Sequence, residues 1–421
     1  MFCGSYINRL YCDTPHFRSI PLELQTPADA PPLHLDHHPR FLAATCCLAL
    51  FLFAVSFGAF SVLLPYIGKS YGLGSSVEGR LFPANFTGFA IAVLLCGALS
   101  DRYGRKAVLL VATAFYGIGL ALFGYAPTFG TTLFAAGLVG AGSGAMETVA
   151  SALAADLYPK NRAAIINGLQ IAFGVGAGIS PALAHNLLHS GIDWRTLYLS
   201  FSGATAILFL ALAFQKFPRI AHAAEGLDIK AIRAMSREPI FLILCVSEAL
   251  YVGSETGLFS WMPTYFERQG VSGRALSGIV VSVFWTTMTI GRIVTGALIG
   301  RVALLKLTIL LGAGGAIAAA LALVWSGPLV TMVFVGLAGF FFSGIFGLVL
   351  AEAGNRYPHV SGTVIGCVVA SGGVGGAVFP WLIGALADTG TGWRLALGLV
   401  PVAMAGVALL TQRLRVLEAR A

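Results

Sequence analysis

The sequence predicts an all-α polytopic membrane protein with twelve transmembrane helices in two pseudo-symmetric six-helix halves. Three observations predict this fold class. Of the 421 residues, 57% are hydrophobic and only 10% are charged, whereas soluble domains carry about 25% charged residues. The hydrophobic residues occur in long runs, and a short motif recurs at equivalent places in the two halves of the chain. A soluble globular protein is therefore excluded.

Twelve apolar runs follow residue 40, and each reaches the length of about 20 residues that a membrane-spanning helix requires. The expected helices cover approximately residues 41–67, 80–100, 106–125, 129–157, 163–187, 196–217, 240–267, 275–299, 304–325, 328–353, 361–387 and 392–413. The long loop after the sixth helix divides the chain into an N-terminal bundle of residues 41–217, a cytoplasmic linker of 218–239 and a C-terminal bundle of 240–413.

Both ends of the chain are expected to lie in the cytoplasm. Residues 1–40 are rich in proline and contain no long apolar run, so we predict a disordered tail, with a misassigned start of translation as the alternative. Residues 414–421 form a second tail. Lys and Arg concentrate in the loops after the even-numbered helices, and the positive-inside rule places these loops in the cytoplasm. We therefore expect a multi-pass protein of the plasma membrane, which in a bacterium is the inner membrane.

Charge and cysteine content exclude several other classes of protein. The net charge is +8, but the basic residues are scattered between apolar runs, so nucleic acid is not an expected partner. The seven cysteines contain no C-x-x-C pair, so neither a metal site nor a disulfide framework is expected. We expect no cofactor. The expected partners are a small-molecule substrate, protons and the lipid bilayer, and the protein is expected to be a monomer.

A short repeat supports the division into two halves. Gly97-Ala-Leu-Ser-Asp-Arg102 ends the second helix, and Gly296-Ala-Leu-Ile-Gly-Arg301 ends the eighth, which is the second helix of the other half. Paired halves around a central site are typical of secondary transporters.

The turn between the second and third helices carries a specific motif, Gly97-Ala-Leu-Ser-Asp-Arg-Tyr-Gly-Arg-Lys106. It matches the signature G-x-L-S/A-D-R-x-G-R-K/R throughout, and the chain therefore resembles the major facilitator superfamily. Gly104 would permit the tight turn. The resemblance implies that the charged residues of this motif are gating residues that hold the two halves together in the outward-facing state: Asp101, Arg102, Arg105 and Lys106.

Further motifs resemble the fucose:proton symporter branch of this superfamily. They are Tyr251-Val-Gly-Ser-Glu255 on the seventh helix, Gly291-Arg292 on the eighth, Asn167-Gly-Leu-Gln170 on the fifth, and Gly372-Gly373 with Pro380 on the eleventh. This resemblance implies a sugar-like substrate and proton coupling. The first helix lacks the aspartate of that branch, which leaves both the substrate and the coupling open.

Glu147 is the first candidate for proton coupling. It lies on the fourth helix about 10 residues, or roughly 15 Å, from the inner end, and an acid at that depth is costly enough to indicate a function. Gly140, Gly142 and Gly144 should let neighbouring backbones come close. The resemblance places a coupling glutamate at this position. The alternative is a neutral, hydrogen-bonded structural residue.

On the seventh helix, Glu248, Tyr251 and Glu255 are spaced by three and four residues and therefore share one face. Glu248 and Glu255 are further candidates for proton coupling. Glu255, Tyr251 and Trp261 are candidates for substrate binding, through hydroxyl contacts and flat aromatic surfaces. The alternative is a hinge whose polar groups only satisfy the neighbouring backbone.

Arg292 and three amides complete the set of candidate residues. Arg292 either extends to the interface or forms an ion pair with Glu352 or Glu248, and it is assigned to gating. Asn85, Asn167 and Gln170 either contact a polyol substrate or hold helices together.

The predicted function is secondary active transport of a small polar organic solute, sugar-like by resemblance, by alternating access with proton coupling. One alternative is a proton-driven exporter of drugs or metabolites, because Gly174-Val-Gly-Ala-Gly-Ile-Ser-Pro181 partly matches an antiporter motif. A remote alternative is a non-transporting receptor. The absence of a Walker motif argues against pumping driven by ATP, and no enzyme activity is expected.

Overall fold

A computed structural model of the chain describes residues 39–158, 162–217, 233, 235–268, 274–325, 327–357 and 361–420. The predicted N-terminal tail lies outside the described residues except at positions 39 and 40, which begin the first helix. Most of the predicted linker, residues 218–232 and 234, also lies outside them. Within the described part, twelve helical segments are long and apolar enough to cross a membrane.

The first six spans are built from seven helices. They are α1 (Pro39–Tyr71), α2 (Ser75–Glu78), α3 (Leu81–Tyr103), α4 (Arg105–Tyr125), α5 (Phe129–Leu157), α6 (Arg162–His189) and α7 (Trp194–Phe214). The short helix α2 and α3 together form the second span.

The remaining six spans are built from eight helices and one π-helical turn. They are α8 (Pro239–Arg268), α9 (Arg274–Leu298), α10 (Leu304–Val324), α11 (Pro328–Phe342), α12 (Ile345–Arg356), α13 (Ser361–Leu386), the π-helical turn Ala387–Thr391, α14 (Trp393–Leu397) and α15 (Leu399–Arg420). The tenth span is broken between α11 and α12, and the twelfth between α14 and α15. The predicted all-α fold and its twelve spans are confirmed.

Gly104 joins α3 to α4 in the motif turn. Its φ is +88°, a left-handed conformation that side chains other than glycine adopt at a cost. The expectation that this glycine makes the turn is confirmed. The turn defines one end of the molecule, here named the Gly104 end.

The opposite end is named after Asp388, which lies in the π-helical turn, and the two halves meet there by direct hydrogen bonds. The Asp388 carboxylate accepts a hydrogen bond of 2.6 Å from the backbone amide of Ser76 in α2. The Ser282 hydroxyl of α9 accepts one of 3.1 Å from the backbone amide of Ala182 in α6. These contacts join residues 39–217 to residues 239–420 at the Asp388 end.

Glycines allow the two halves to approach closely from the middle of the bundle to the Asp388 end. A Cβ at Gly278 would lie 2.6 Å from His185, one at Gly376 would lie 2.6 Å from Phe86, and one at Gly384 would lie 2.7 Å from the Ser75 carbonyl oxygen. Gly97 and Gly296, near the Gly104 end, have no such neighbour within 4 Å. The closest packing between the halves therefore lies toward the Asp388 end.

Within the first half, the glycines of α5 serve the packing that the sequence predicts. A Cβ would lie 1.8 Å from the Asn85 carbonyl oxygen at Gly140, 2.4 Å from the Tyr116 nitrogen at Gly142, and 2.7 Å from the Phe89 carbonyl oxygen at Gly144. The prediction that these glycines let neighbouring backbones come close is confirmed.

Substituting Gly140 with Ala should destabilise the protein, because the added methyl group would clash with rigid backbone on α3. Overpacking of this kind costs about 1–3 kcal/mol, so we expect a lower midpoint of thermal unfolding in detergent. Gly347→Ala is the matched control, since its Cβ would meet no atom within 4 Å and alanine is the better helix former. A G140A variant as stable as G347A would contradict the expectation.

Candidate functional site

Four helices bring polar side chains together near the middle of the bundle. Glu147 comes from α5 and Gln170 from α6, in the first half, while Glu255 comes from α8 and Arg292 from α9, in the second. Each of these four side chains is only partly buried, although each sits deep within its helix. They therefore border an accessible space between the two halves.

Arg292 connects the members of this cluster. Its guanidinium acts electrostatically on both the Glu147 and the Glu255 carboxyl groups. It also donates hydrogen bonds to the Gln170 carbonyl oxygen at 3.4 Å and to the Met288 sulfur at 3.7 Å. The Gln170 side-chain amide in turn interacts with the Glu147 carboxyl group. We refer to Glu147, Gln170, Glu255 and Arg292 as the polar layer.

These contacts correct the expected partners of Arg292. The sequence suggested Glu352 or Glu248, or extension of the side chain to the interface. The structure instead places the guanidinium among groups of α5, α6 and α8. The partners of Arg292 depend on how the two halves pack together. This packing cannot be predicted from residue spacing or hydropathy within α9.

Tyr251 and Glu255 both face the polar layer. Tyr251 is only 1% exposed, and its hydroxyl interacts electrostatically with Glu255 and Arg292. Among the described residues, this hydroxyl has no well-aligned hydrogen-bond partner. The phenol instead interacts with the Glu255 carboxyl group, and Tyr251 thereby joins the edge of the polar layer.

Glu248 differs from the other two members of the predicted stripe. It is 0% exposed, and neither of its carboxyl oxygens has a hydrogen-bond partner in the described part of the chain. A Cβ at Gly372 of α13 would lie 3.3 Å from the Glu248 Cγ. Glu248 therefore packs between α8 and α13 and does not border the space beside Arg292.

Two other predicted binding residues lie away from the polar layer. Trp261 is fully buried, donates a hydrogen bond of 2.8 Å to the Pro380 carbonyl oxygen and packs against Trp393, toward the Asp388 end. Asn85 donates to the Ala136 carbonyl oxygen at 3.1 Å, which joins α3 to α5. For Asn85 the structure thus supports the alternative of holding helices together. The Asn167 side chain is outside what the structure describes.

An aromatic layer that the sequence reasoning missed lies next to the polar layer, toward the Asp388 end. Phe173 follows Gln170 by three residues, Phe259 follows Glu255 by four, and Trp285 precedes Arg292 by seven. At a rise of about 1.5 Å per residue, the offsets are roughly 5–10 Å. The layer consists of Phe57, Phe173, Phe259 and Trp285.

The aromatic layer joins the two halves. Ring centroids lie 5.2 Å apart for Phe57 and Phe259, 5.7 Å for Phe173 and Trp285, and 5.3 Å for Phe259 and Trp285. Phe57 and Phe173 belong to the first half, and the other two to the second. The signal available in the sequence was a helical spacing of three, four or seven residues between three of the polar residues and an aromatic one; Glu147 and Phe57 have no such neighbour.

The motif residues near the Gly104 end make contacts within the first half. Arg105 Nε lies 3.2 Å from the Asp156 carboxylate, and Arg105 also donates to the Ser100 hydroxyl. Lys106 donates to the carbonyl oxygens of Ala213 and Gln215, both at 2.7 Å. The Asp101 side chain is not described, so the assignment of Asp101, Arg102, Arg105 and Lys106 to gating stays a prediction. Asp156 is a partner that the sequence reasoning missed.

Truncating Tyr251 should weaken ligand binding more than removing its hydroxyl group. Tyr251→Ala deletes a buried ring, a change that costs about 3–5 kcal/mol in a core, whereas Tyr251→Phe removes a hydroxyl group worth about 1 kcal/mol. Equilibrium binding to both variants would measure the difference. If Y251F were the weaker binder, the hydroxyl group would be the main contact with the ligand.

Most of the chain is similar in sequence to known membrane transporters. The family model of the Major Facilitator Superfamily matches residues 46–366. The 3-(3-hydroxy-phenyl)propionate transporter of Escherichia coli strain K12 is 25% identical over 82% of this chain and 87% of its own length. The gentisate transporter of Corynebacterium glutamicum is 28% identical over 76% and 75%, and the cis,cis-muconate transport protein of Acinetobacter baylyi is 25% identical over 82% and 87%.

Solved structures share the fold at lower identity. The Escherichia coli fucose:proton symporter has a TM-score of 0.66 at 18% identity, covering 90% of this chain and 99% of that one. The nucleoside transporter NupG has a TM-score of 0.73 at 13% identity, covering 89% and 99%. The resemblance read from the motifs is thus supported by the fold. Because the family model matches most of the chain, the protein belongs to the major facilitator superfamily of membrane transporters and is not an enzyme.

Proposed function

We propose that the protein is a proton-coupled secondary transporter that carries a small organic acid by alternating access, in a bacterial inner membrane with both termini in the cytoplasm. The observation that carries this proposal is the position of Arg292 between Glu147 and Glu255, next to an aromatic layer. One end of the ligand would contact the charged groups of the polar layer, and the other end would contact the rings of the aromatic layer.

A carboxylate suits Arg292 better than a neutral solute. A guanidinium has five N–H donors in a planar fork that matches a carboxylate. In the described part of the chain its hydrogen bonds go to one carbonyl oxygen and one thioether sulfur, which leaves donors for a ligand. The names of relatives support this choice, because hydroxyphenylpropionate, gentisate and muconate are all organic acids.

A sugar-like substrate has less support. A neutral sugar offers no charge to Arg292, and the fucose:proton symporter shares the fold at only 18% identity. The glycine segment that suggested an exporter has a packing role, since a Cβ at Gly174 or Gly178 would lie 2.2 or 3.1 Å from the hydroxyl oxygens of Thr289 and Thr286 on α9. We therefore propose uptake of an acid in place of both earlier interpretations.

The charge balance of the polar layer supports proton coupling. Two carboxyl groups face one guanidinium, and a bound carboxylate would add a further negative charge at mid-depth, where unpaired charge is costly. Proton binding by Glu147 or Glu255 would offset that charge. Substrate and proton would then favour each other's binding, and this reciprocal coupling is consistent with symport.

The test is solute uptake in proteoliposomes with an imposed pH gradient, using benzoate and 3-phenylpropionate, fucose and xylose, and a cationic dye. We expect accumulation of the aryl acids that disappears when an ionophore collapses the gradient. Accumulation of a sugar without any acid, or efflux of the dye, would overturn the proposal.

A further inference from the structure

One buried polar group next to the proposed acid site has no partner. The indole of Trp285 is 1% exposed, and its Nε1 has no hydrogen-bond acceptor among the described residues. Two other buried tryptophans do have acceptors: Trp194 donates to the Ser70 hydroxyl at 2.9 Å, and Trp261 to the Pro380 carbonyl oxygen at 2.8 Å. A buried tryptophan N–H usually has a partner, so Trp285 is the exception.

Trp285 shares a helix face with Arg292. Seven residues separate them, which is two turns of α9 or about 10 Å. Met288 lies between them and accepts from Arg292, and its thioether side chain can adapt to a ligand. A molecule with a carboxylate at Arg292 would therefore extend its other end toward the indole.

The surroundings of Trp285 suit an aromatic ring. Phe57, Phe173 and Phe259 pack against it with centroid distances of 6.1, 5.7 and 5.3 Å. Because two of these rings belong to the other half of the protein, the layer parts when the halves separate at the Asp388 end. A substrate ring can enter between the side chains in that state and stack edge to face on them.

We propose that the Trp285 N–H binds an oxygen substituent on the substrate, at the end opposite its carboxylate. The proposal rests on the proposed function and narrows its substrate class to hydroxy- or oxo-substituted aryl carboxylates. Arg292 selects the acid, the aromatic layer selects the ring, and Trp285 selects the oxygen. A site with a buried donor discriminates against analogues that leave this donor unpaired.

The experiment compares two pairs of probes on the full-length protein in detergent: benzoate against 4-hydroxybenzoate, and 3-phenylpropionate against 3-(3-hydroxyphenyl)propionate. Isothermal titration calorimetry gives the affinity ratio within each pair. For the wild type we expect the hydroxylated acid of at least one pair to bind about five- to tenfold more tightly.

Trp285→Phe keeps a ring and removes the N–H, so we expect this ratio to fall to about one to two. Trp325→Phe is the matched control, since Trp325 is 54% exposed at the end of α10, and it should keep the wild-type ratio. The ratio of two ligands on one variant is insensitive to a general loss of packing.

Each outcome decides the matter. A wild type without preference for hydroxylated acids overturns the proposal without any variant, and so does a W285F protein that keeps the wild-type ratio. Loss of affinity for both members of a pair by the same factor would make Trp285 a packing surface only. A wild-type protein that binds neither member of either pair would overturn the proposed organic-acid function itself. This outcome is distinct from the outcomes that overturn only the role of Trp285.

Discussion

Arg292→Gln should abolish the uptake of aryl carboxylates and lower their affinity by at least about 100-fold. In the proposed complex the ligand carboxylate pairs with the Arg292 guanidinium, and removing one partner of an ion pair that binding buries costs about 3–5 kcal/mol. Each 1.4 kcal/mol is a factor of ten in affinity. The variant would also leave Glu147 and Glu255 without the cation that acts on both. Equilibrium binding of benzoate and uptake in proteoliposomes measure the two losses.

Two further variants sharpen this test. Arg292→Lys keeps the charge but lacks the planar fork, so its affinity should lie between those of the wild type and R292Q. Arg301→Gln changes an exposed arginine just beyond the end of α9 and should leave binding unchanged. Benzoate binding to R292Q at the wild-type affinity would refute the assignment of the carboxylate to this residue.

Glu147→Gln should separate coupling from binding. Glutamine keeps the shape of the side chain and much of its hydrogen-bonding capacity, but it cannot bind and release a proton. We expect accumulation driven by a pH gradient to vanish, whereas exchange of labelled for unlabelled substrate across the membrane, without a gradient, should persist. Both measurements use the same proteoliposomes.

Two matched substitutions identify the group that titrates. Glu238→Gln, at an exposed carboxylate that accepts from the Tyr357 hydroxyl, should behave as the wild type. Glu255→Gln tests the second acid of the polar layer. If E147Q still accumulates substrate to the wild-type level and E255Q does not, the coupling site is Glu255 and Glu147 is structural.

The helices were predictable from the sequence because a spanning segment must satisfy its backbone internally and expose apolar side chains to lipid. The expected fourth helix, residues 129–157, coincides with α5, and the expected third differs from α4 by one residue. The interruptions were not predictable. The break between α11 and α12 lies at Ser343 and Gly344, where α9 comes close: a Cβ at Gly344 would lie 2.3 Å from Thr295 of α9.

The individual polar residues of the site could be predicted from the sequence, but the contacts between them could not. Glu147, Gln170, Glu255 and Arg292 stand out because polar groups are rare in these helices, but their mutual contacts depend on how two distant parts of the chain pack. The residues of the aromatic layer do not stand out from their helices in this way, because Phe57 is one of 29 phenylalanines in an apolar sequence.

The hydrogen bond between the two halves at the Asp388 end has a consequence for which substitutions this protein tolerates. The donor in that contact is the main-chain amide of Ser76, which every residue except proline supplies. Changes at position 76 other than proline therefore leave the donor in place, while the acceptor depends on one carboxylate. In the proposed alternating-access cycle, loss of this charge-assisted hydrogen bond would disfavour the conformation that contains it by the free energy of that bond. Position 388 is thus one place where a single substitution would change how firmly the two halves are held together at this end, at a distance from the polar layer.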